Sequence, residues 1–163
     1  MKRIFTIVLL VGAALAANAQ GLKPKEAFEQ LKKLAGDWEM KGPDGKTMKV
    51  NYKITGAGSA LIETQFPGEP FEMVSVYHMD GKDLYMTHYC AAGNQPTMKY
   101  MPGKDKKVLF FDFVRGSNMK PTDVHIHSAK IMLNSANAIK SDWIGWANKK
   151  KSDTTTFDLK KVG

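Results

Sequence analysis

His125-Ile126-His127 sets two imidazoles on one face of an extended chain, about 6.5 to 7 Å apart, because alternate strand residues share a face. A third imidazole from His88 would complete a nitrogen set that zinc or copper accepts, although no carboxylate or second cysteine stands at ligand spacing beside them. The competing reading is a hydrogen-bonded polar cluster in or at the mouth of a barrel. In "THYCAAGNQP" (87–96) His88 and Cys90 place a base two residues from a thiol, the beginning of a nucleophilic couple with no third group to orient it. Cys90 is the only cysteine, so no intrachain disulfide forms, and free cysteines belong to the most buried residue types. Glu69 falls in the turn "FPGEP", and Glu63 and Glu72 are expected on outward faces, solvated rather than paired for acid–base work. No phosphate-cradling glycine loop or nucleophile elbow is present. Binding, rather than catalysis, is what these residue types predict.

The elements that must position them begin after a leader. "MKRIFTIVLLVGAALAANAQ" has a basic start, a short apolar run and the small-x-small triplet Ala17-Asn18-Ala19, the pattern of a secretory signal peptide over 1–19 cleaved before Gln20. The expectation is an exported protein, periplasmic or extracellular, with no membrane anchor once the leader is removed, and one domain over 20–163. "GLKPKEAFEQLKKLAG" reads as one amphipathic helix, with Pro24 in its first turn and Gly36 ending it. Nine turn signals then separate ten strands, placed at 37–41, 47–55, 59–66, 71–79, 84–91, 97–102, 107–114, 124–134, 138–148 and 153–162. Loops this short join antiparallel neighbours, so the fold class is all-β: a ten-stranded antiparallel up-and-down barrel with one short N-terminal helix.

Alternation assigns faces. Met48, Val50, Tyr52 and Ile54 point inward in the second strand, Trp38 and Met40 in the first, and Ile139, Ser141 and Trp143 in the ninth. Lys130 marks the outside of the eighth strand, which puts His125, His127, Ala129, Ile131 and Leu133 inside. A two-residue turn at Asp80-Gly81 would pair Met79 with Lys82, placing Ser75, Tyr77, Leu84, Met86, His88 and Cys90 on the inner face. The expected ligand contacts are therefore Tyr52, Tyr77, Met86, His88, Cys90, His125 and His127, with Asn94 on the rim turn. Thioethers such as Met86 either fill core gaps or adapt to an apolar ligand.

The order "LKKLAGDWEMKG", a helix running into Gly-x-Trp, followed by a ten-strand meander ending in "TTTFDLKKV", resembles the calycin β-barrels: lipocalins, fatty-acid-binding proteins and nitrobindin-like haem proteins. "VYHMDGKDLYMTHYCAAGNQPTM" also resembles stretches of uncharacterised exported bacterial proteins near that group. The resemblance implies a structural role for Trp38, packed at the closed barrel end beneath a basic side chain that Lys160 or Lys161 would supply. Nitrobindin-like proteins hold haem through a histidine in the last strand, and "TTTFDLKKV" contains none.

Charge narrows the partners. The chain carries 24 basic residues, Lys2 and Arg3 of them in the leader, against 16 acidic ones. Arg115 is the only arginine outside the leader and the lysines are scattered, so the arginine-rich pattern of nucleic-acid recognition is missing. The sequence thus predicts an exported, non-enzymatic barrel that binds a small apolar or amphipathic molecule. A haem or metal protein and a structural barrel with a filled core are the alternatives.

Overall fold

Period-two patterning punctuated by tight turns leaves the chain little choice but to zigzag, and it does. The computed structural model describes residues 21–162, so the leader expected over 1–19 lies outside the described residues. Helix α1 spans Pro24–Lys32; its first turn is fixed by the Lys23 backbone N–H donating to Glu26 Oε2 at 2.9 Å, and Ala27, Phe28 and Leu31 are buried. Ten strands follow: β1 Gly36–Lys41, β2 Thr47–Thr55, β3 Ala60–Gln65, β4 Met73–Asp80, β5 Asp83–Tyr89, β6 Gln95–Met101, β7 Val108–Ser117, β8 His125–Ser135, β9 Ala138–Ala147 and β10 Lys150–Lys161. Each pairs antiparallel with its chain neighbour, and β1 pairs with β10 to close the barrel. Closure removes the open edges that would otherwise template aggregation.

The closing seam is short, with Trp38 opposite Lys161 and Glu39 opposite Lys160. Trp38 reinforces it. Its indole Nε1–H donates to the Leu34 carbonyl at 2.7 Å, its ring meets the edge of Tyr52, and the Lys161 ammonium stands 5.6 Å over its face. Tryptophan beneath a terminal lysine is the arrangement the resemblance implied. At this end α1 packs over β2, β4 and β5, and Tyr100 donates its hydroxyl to the Leu22 carbonyl. The other end, formed by the turns after β1, β3, β5, β7 and β9, is the mouth.

The β4–β5 hairpin turns at Gly81-Lys82, not Asp80-Gly81: Asp80 pairs with Asp83 and Tyr77 with Met86. Gly81, at φ +56°, supplies the positive φ that such a turn requires at its first central position. The pairing is displaced by two residues, so faces are conserved, and Ser75, Tyr77, Leu84, Met86 and His88 do point inward, all buried. One face assignment is corrected in β3: Glu63, expected outside, is fully buried on the inner face, while Ile54 lies opposite Leu61 on the inner face as expected and is 42% exposed near the end of β2. "ALIETQ" places apolar residues at successive positions, so its period is ambiguous, and Leu61, Glu63 and Gln65 take the inner face.

Rings meet across the lumen. Tyr77 of β4 touches Phe111 of β7 with centroids 5.6 Å apart, and His88 of β5 stands 5.0 Å from Trp143 of β9. At those levels side chains, not solvent, span the barrel. Replacing Trp38 by alanine removes a fully buried ring from the seam and is expected to cost about 3–5 kcal/mol, read as a lowered urea midpoint with unchanged slope; a cost below 1 kcal/mol would mean that the seam holds without it.

Candidate functional site

Two groups of polar side chains stand out, one in the lumen and one at the mouth. Strand register builds the first. Tyr52 lies opposite Glu63, Glu63 opposite Ser75 and Ser75 opposite His88, a row across β2 to β5 on the inner face. Tyr77 donates its hydroxyl to Glu63 Oε2 at 2.5 Å and Gln65 donates its amide to Oε1 at 2.9 Å. Burial pushes the Glu63 carboxyl up, against the opposing effect of those donors, and pushes the Tyr52 and Tyr77 hydroxyls well up too. His88 Nδ1 bonds Ser75 Oγ at 2.9 Å, its Nε2 has no partner among the described residues, and burial lowers it to about 4, so it is neutral at pH 7.

The remaining expected contacts separate. Cys90 is half-buried in the turn after β5, where its N–H donates to the Asn94 carbonyl at 3.0 Å. Asn94 is buried, and its amide donates to the Val124 carbonyl at 2.7 Å, tying that turn to the entry of β8. Tyr52, Tyr77 and Met86 belong to the filled core. Of the eight expected contacts, only His125 and His127 stand together at an opening.

A bulge places them there. Pairing of β8 with β9 shifts between Ile126 and Ser128, which breaks the alternation that put His127 inside; the ring is half-buried at the mouth instead. His125 Nδ1 faces the Asp123 carbonyl at 2.8 Å and must donate to it, so in the neutral ring Nε2 accepts from His127 Nδ1–H at 3.1 Å. His127 is held between two rings, Trp146 at 3.7 Å and 12° and Phe113 at 4.9 Å and 16°. Burial and the neighbouring His125 lower its pKa, against an upward pull from Asp112.

These rings floor a pocket of about 280 Å³, with Met119 at its side and Arg115, Lys120 and Lys149 among its lining. Gly116 leaves the space that the Met119 thioether occupies, and a Cβ at that position would oblige the flexible Met119 side chain to move. A second, larger pocket of about 450 Å³ opens beside Met48, Phe66 and Phe71, but charges of both signs, Asp44, Lys46 and Glu69, ring it. The sequence reading missed Phe113, Arg115, Met119 and Trp146. Trp146 sits three residues after the inward Trp143, so strict alternation sends it to the outer face, and only the β8 bulge brings His127 round to meet it.

Among the described residues the three-histidine donor set expected for a metal does not assemble. His88 stands against Trp143 while His125 and His127 bond each other, and among the described residues no three His, Cys, Asp or Glu side chains gather around one point. Strand β10, "KKSDTTTFDLKK", offers no histidine, cysteine, methionine or tyrosine, so the haem ligand that a nitrobindin-like site would take from the last strand does not fit this chain.

No protein-family model and no curated protein matches the chain. Among solved structures, the crystal structure of Rv2717c from M. tuberculosis is similar, with a TM-score of 0.53 and 14% sequence identity over 84% of this chain and 98% of that one. At that identity the likeness is one of fold.

His88 makes stability depend on acid. Its folded pKa lies near 4 and its ordinary value is 6.5, so its contribution is full above pH 6.5 and is lost as pH falls toward 4, in total about 3 kcal/mol. Glu63, raised, acts in the opposite sense: its contribution is present below its ordinary value of 4.5 and fades as pH rises through the folded value. Urea midpoints between pH 7.5 and 4.5 are expected to fall more steeply for the native chain than for His88→Gln; parallel lines would place His88 in contact with water.

Proposed function

We propose that this β-barrel is an exported binding protein that holds a small, flat, largely apolar molecule at its mouth and performs no chemistry on it. The observation that carries this reading is the Trp146–His127–Phe113 stack, three near-parallel or tilted rings left half-buried beside an open pocket. Aromatic faces exposed in a concavity cost hydration free energy and gain it back when another flat surface covers them. The shape of the site fits the ligand: about 280 Å³ is enough for a two-ring molecule and too little for a long lipid. A binding role without catalysis is supported by the histidines themselves. His88 faces the Ser75 hydroxyl, but both are buried and line no part of the pocket, while at the pocket His125 is bonded to Asp123 and His127 and no serine, threonine or cysteine is among the lining. Export rests on the leader pattern over 1–19.

The cross-lumen contacts favour one rival, a structural barrel with a filled core, and binding data separate the two. Titration with N-phenyl-1-naphthylamine, a neutral two-ring-system probe, is expected to give saturable fluorescence enhancement. Trp146→Ala is expected to weaken binding tenfold or more, about 1.4 kcal/mol, while leaving the circular-dichroism melt within a few degrees. Absence of saturable binding supports the filled structural barrel; binding indifferent to Trp146 places the ligand elsewhere.

A further inference from the structure

We infer that the ligand of the mouth pocket is an acid, a flat amphipathic molecule whose anionic head lies against Arg115 and Lys149 while its rings cover the Trp146–His127–Phe113 floor. This rests on the binding role proposed above and adds the chemical class. Three cations, Arg115, Lys120 and Lys149, line the pocket, and no acidic side chain does. None of the three is spent elsewhere: the ion pairs among the described residues are Lys32 with Glu29, Lys46 with Asp44 and Lys99 with Asp83. Asp123, close in sequence, turns its carboxylate to the Lys120 backbone N–H at 2.7 Å. Converging like charges repel, and a concave, low-dielectric wall concentrates their field on whatever enters.

The residue types are informative as well. Arg115 is the only arginine among the described residues, and a guanidinium grips a carboxylate or sulfonate through two parallel N–H donors in a way an ammonium does not. Lys149 occupies the second centre of the Asn148-Lys149 turn between β9 and β10, with φ +62° after +53° at Asn148. Glycine is the residue such a turn favours at that position, and any other side chain there carries backbone strain. A lysine held in that conformation puts its charge on the pocket at a conformational cost that the turn itself does not require.

The test compares two probes with one ring framework. N-phenyl-1-naphthylamine is neutral, and 1-anilinonaphthalene-8-sulfonate is the same framework bearing an anion. On the full chain freed of its leader, the sulfonate is expected to bind at least tenfold more tightly than the neutral probe in 20 mM salt, with the advantage shrinking below threefold in 0.5 M sodium chloride. Arg115→Gln combined with Lys149→Gly is expected to erase the difference between the probes. The thermal midpoint, read on the same samples, is expected to hold or rise because glycine relieves the turn. Equal affinity of the native protein for both probes would overturn the acid while leaving the binding site in place. A preference for the sulfonate that survives both substitutions would overturn the role of these two cations. Failure of both probes to bind would remove the site and the inference together.

Discussion

A ring from β4 meets a ring from β7 across the lumen, and the rest of the molecule follows from that contact. Ten strands enclose more space than a single layer of aliphatic side chains fills, so the lumen must be spanned by large residues or left to water and ligands. Tyr77 with Phe111, and His88 with Trp143, span it. Fully buried Tyr52, Tyr100, Met86 and Met98 fill between them. Thioethers suit that task because they adapt to gaps left by rigid rings. A lumen bridged in this way leaves the mouth, where β7 and β9 end and β8 begins, as the place where side chains face both each other and solvent.

Burial disfavours charge on the polar groups inside. Burial raises Glu63 and lowers His88, so both environments favour the neutral form, and the tyrosine hydroxyls beside Glu63 hold their protons more tightly than usual. A protonated or hydrogen-bonded carboxyl in contact with Tyr77 and Gln65 specifies register, because a one-residue slip of β3 would turn Glu63 and Gln65 to solvent and Ile62 and Thr64 inward. Charge is instead gathered at the mouth, on Arg115, Lys120 and Lys149. An interior whose burial disfavours charge is thereby separated from a cationic rim, the separation on which the proposed binding role rests.

The fold was legible because its signals are local. The ten-strand all-β meander with one short helix could be read from turn residues and alternation, and β2 falls on the expected 47–55. What alternation could not supply was the exception to alternation. The β8 bulge at His127 has no residue signature within β8, since neither glycine nor proline marks it there and the glycine beside it, Gly145, lies on β9, and it decides which rings meet at the mouth. Glu63 escaped for a different reason: a polar side chain on an ambiguous strand is assigned to water by default, and the donors that make its burial tolerable include the hydroxyl of Tyr77, fourteen positions away, beside the amide of Gln65. Arg115 was noticed for its rarity, but its neighbours Lys120 and Lys149 come from separate turns that only the closed barrel brings together.

The three tryptophans report three places: Trp38 at the closed end, Trp143 in the lumen and Trp146 at the mouth. The most direct measurement is therefore the 1H–15N spectrum of their indole N–H groups during titration with a naphthalene carboxylate. Binding at the mouth is expected to move the Trp146 resonance progressively to saturation while those of Trp38 and Trp143 stay in place. Movement of Trp143 with Trp146 unchanged would put the ligand in the lumen and contradict the account.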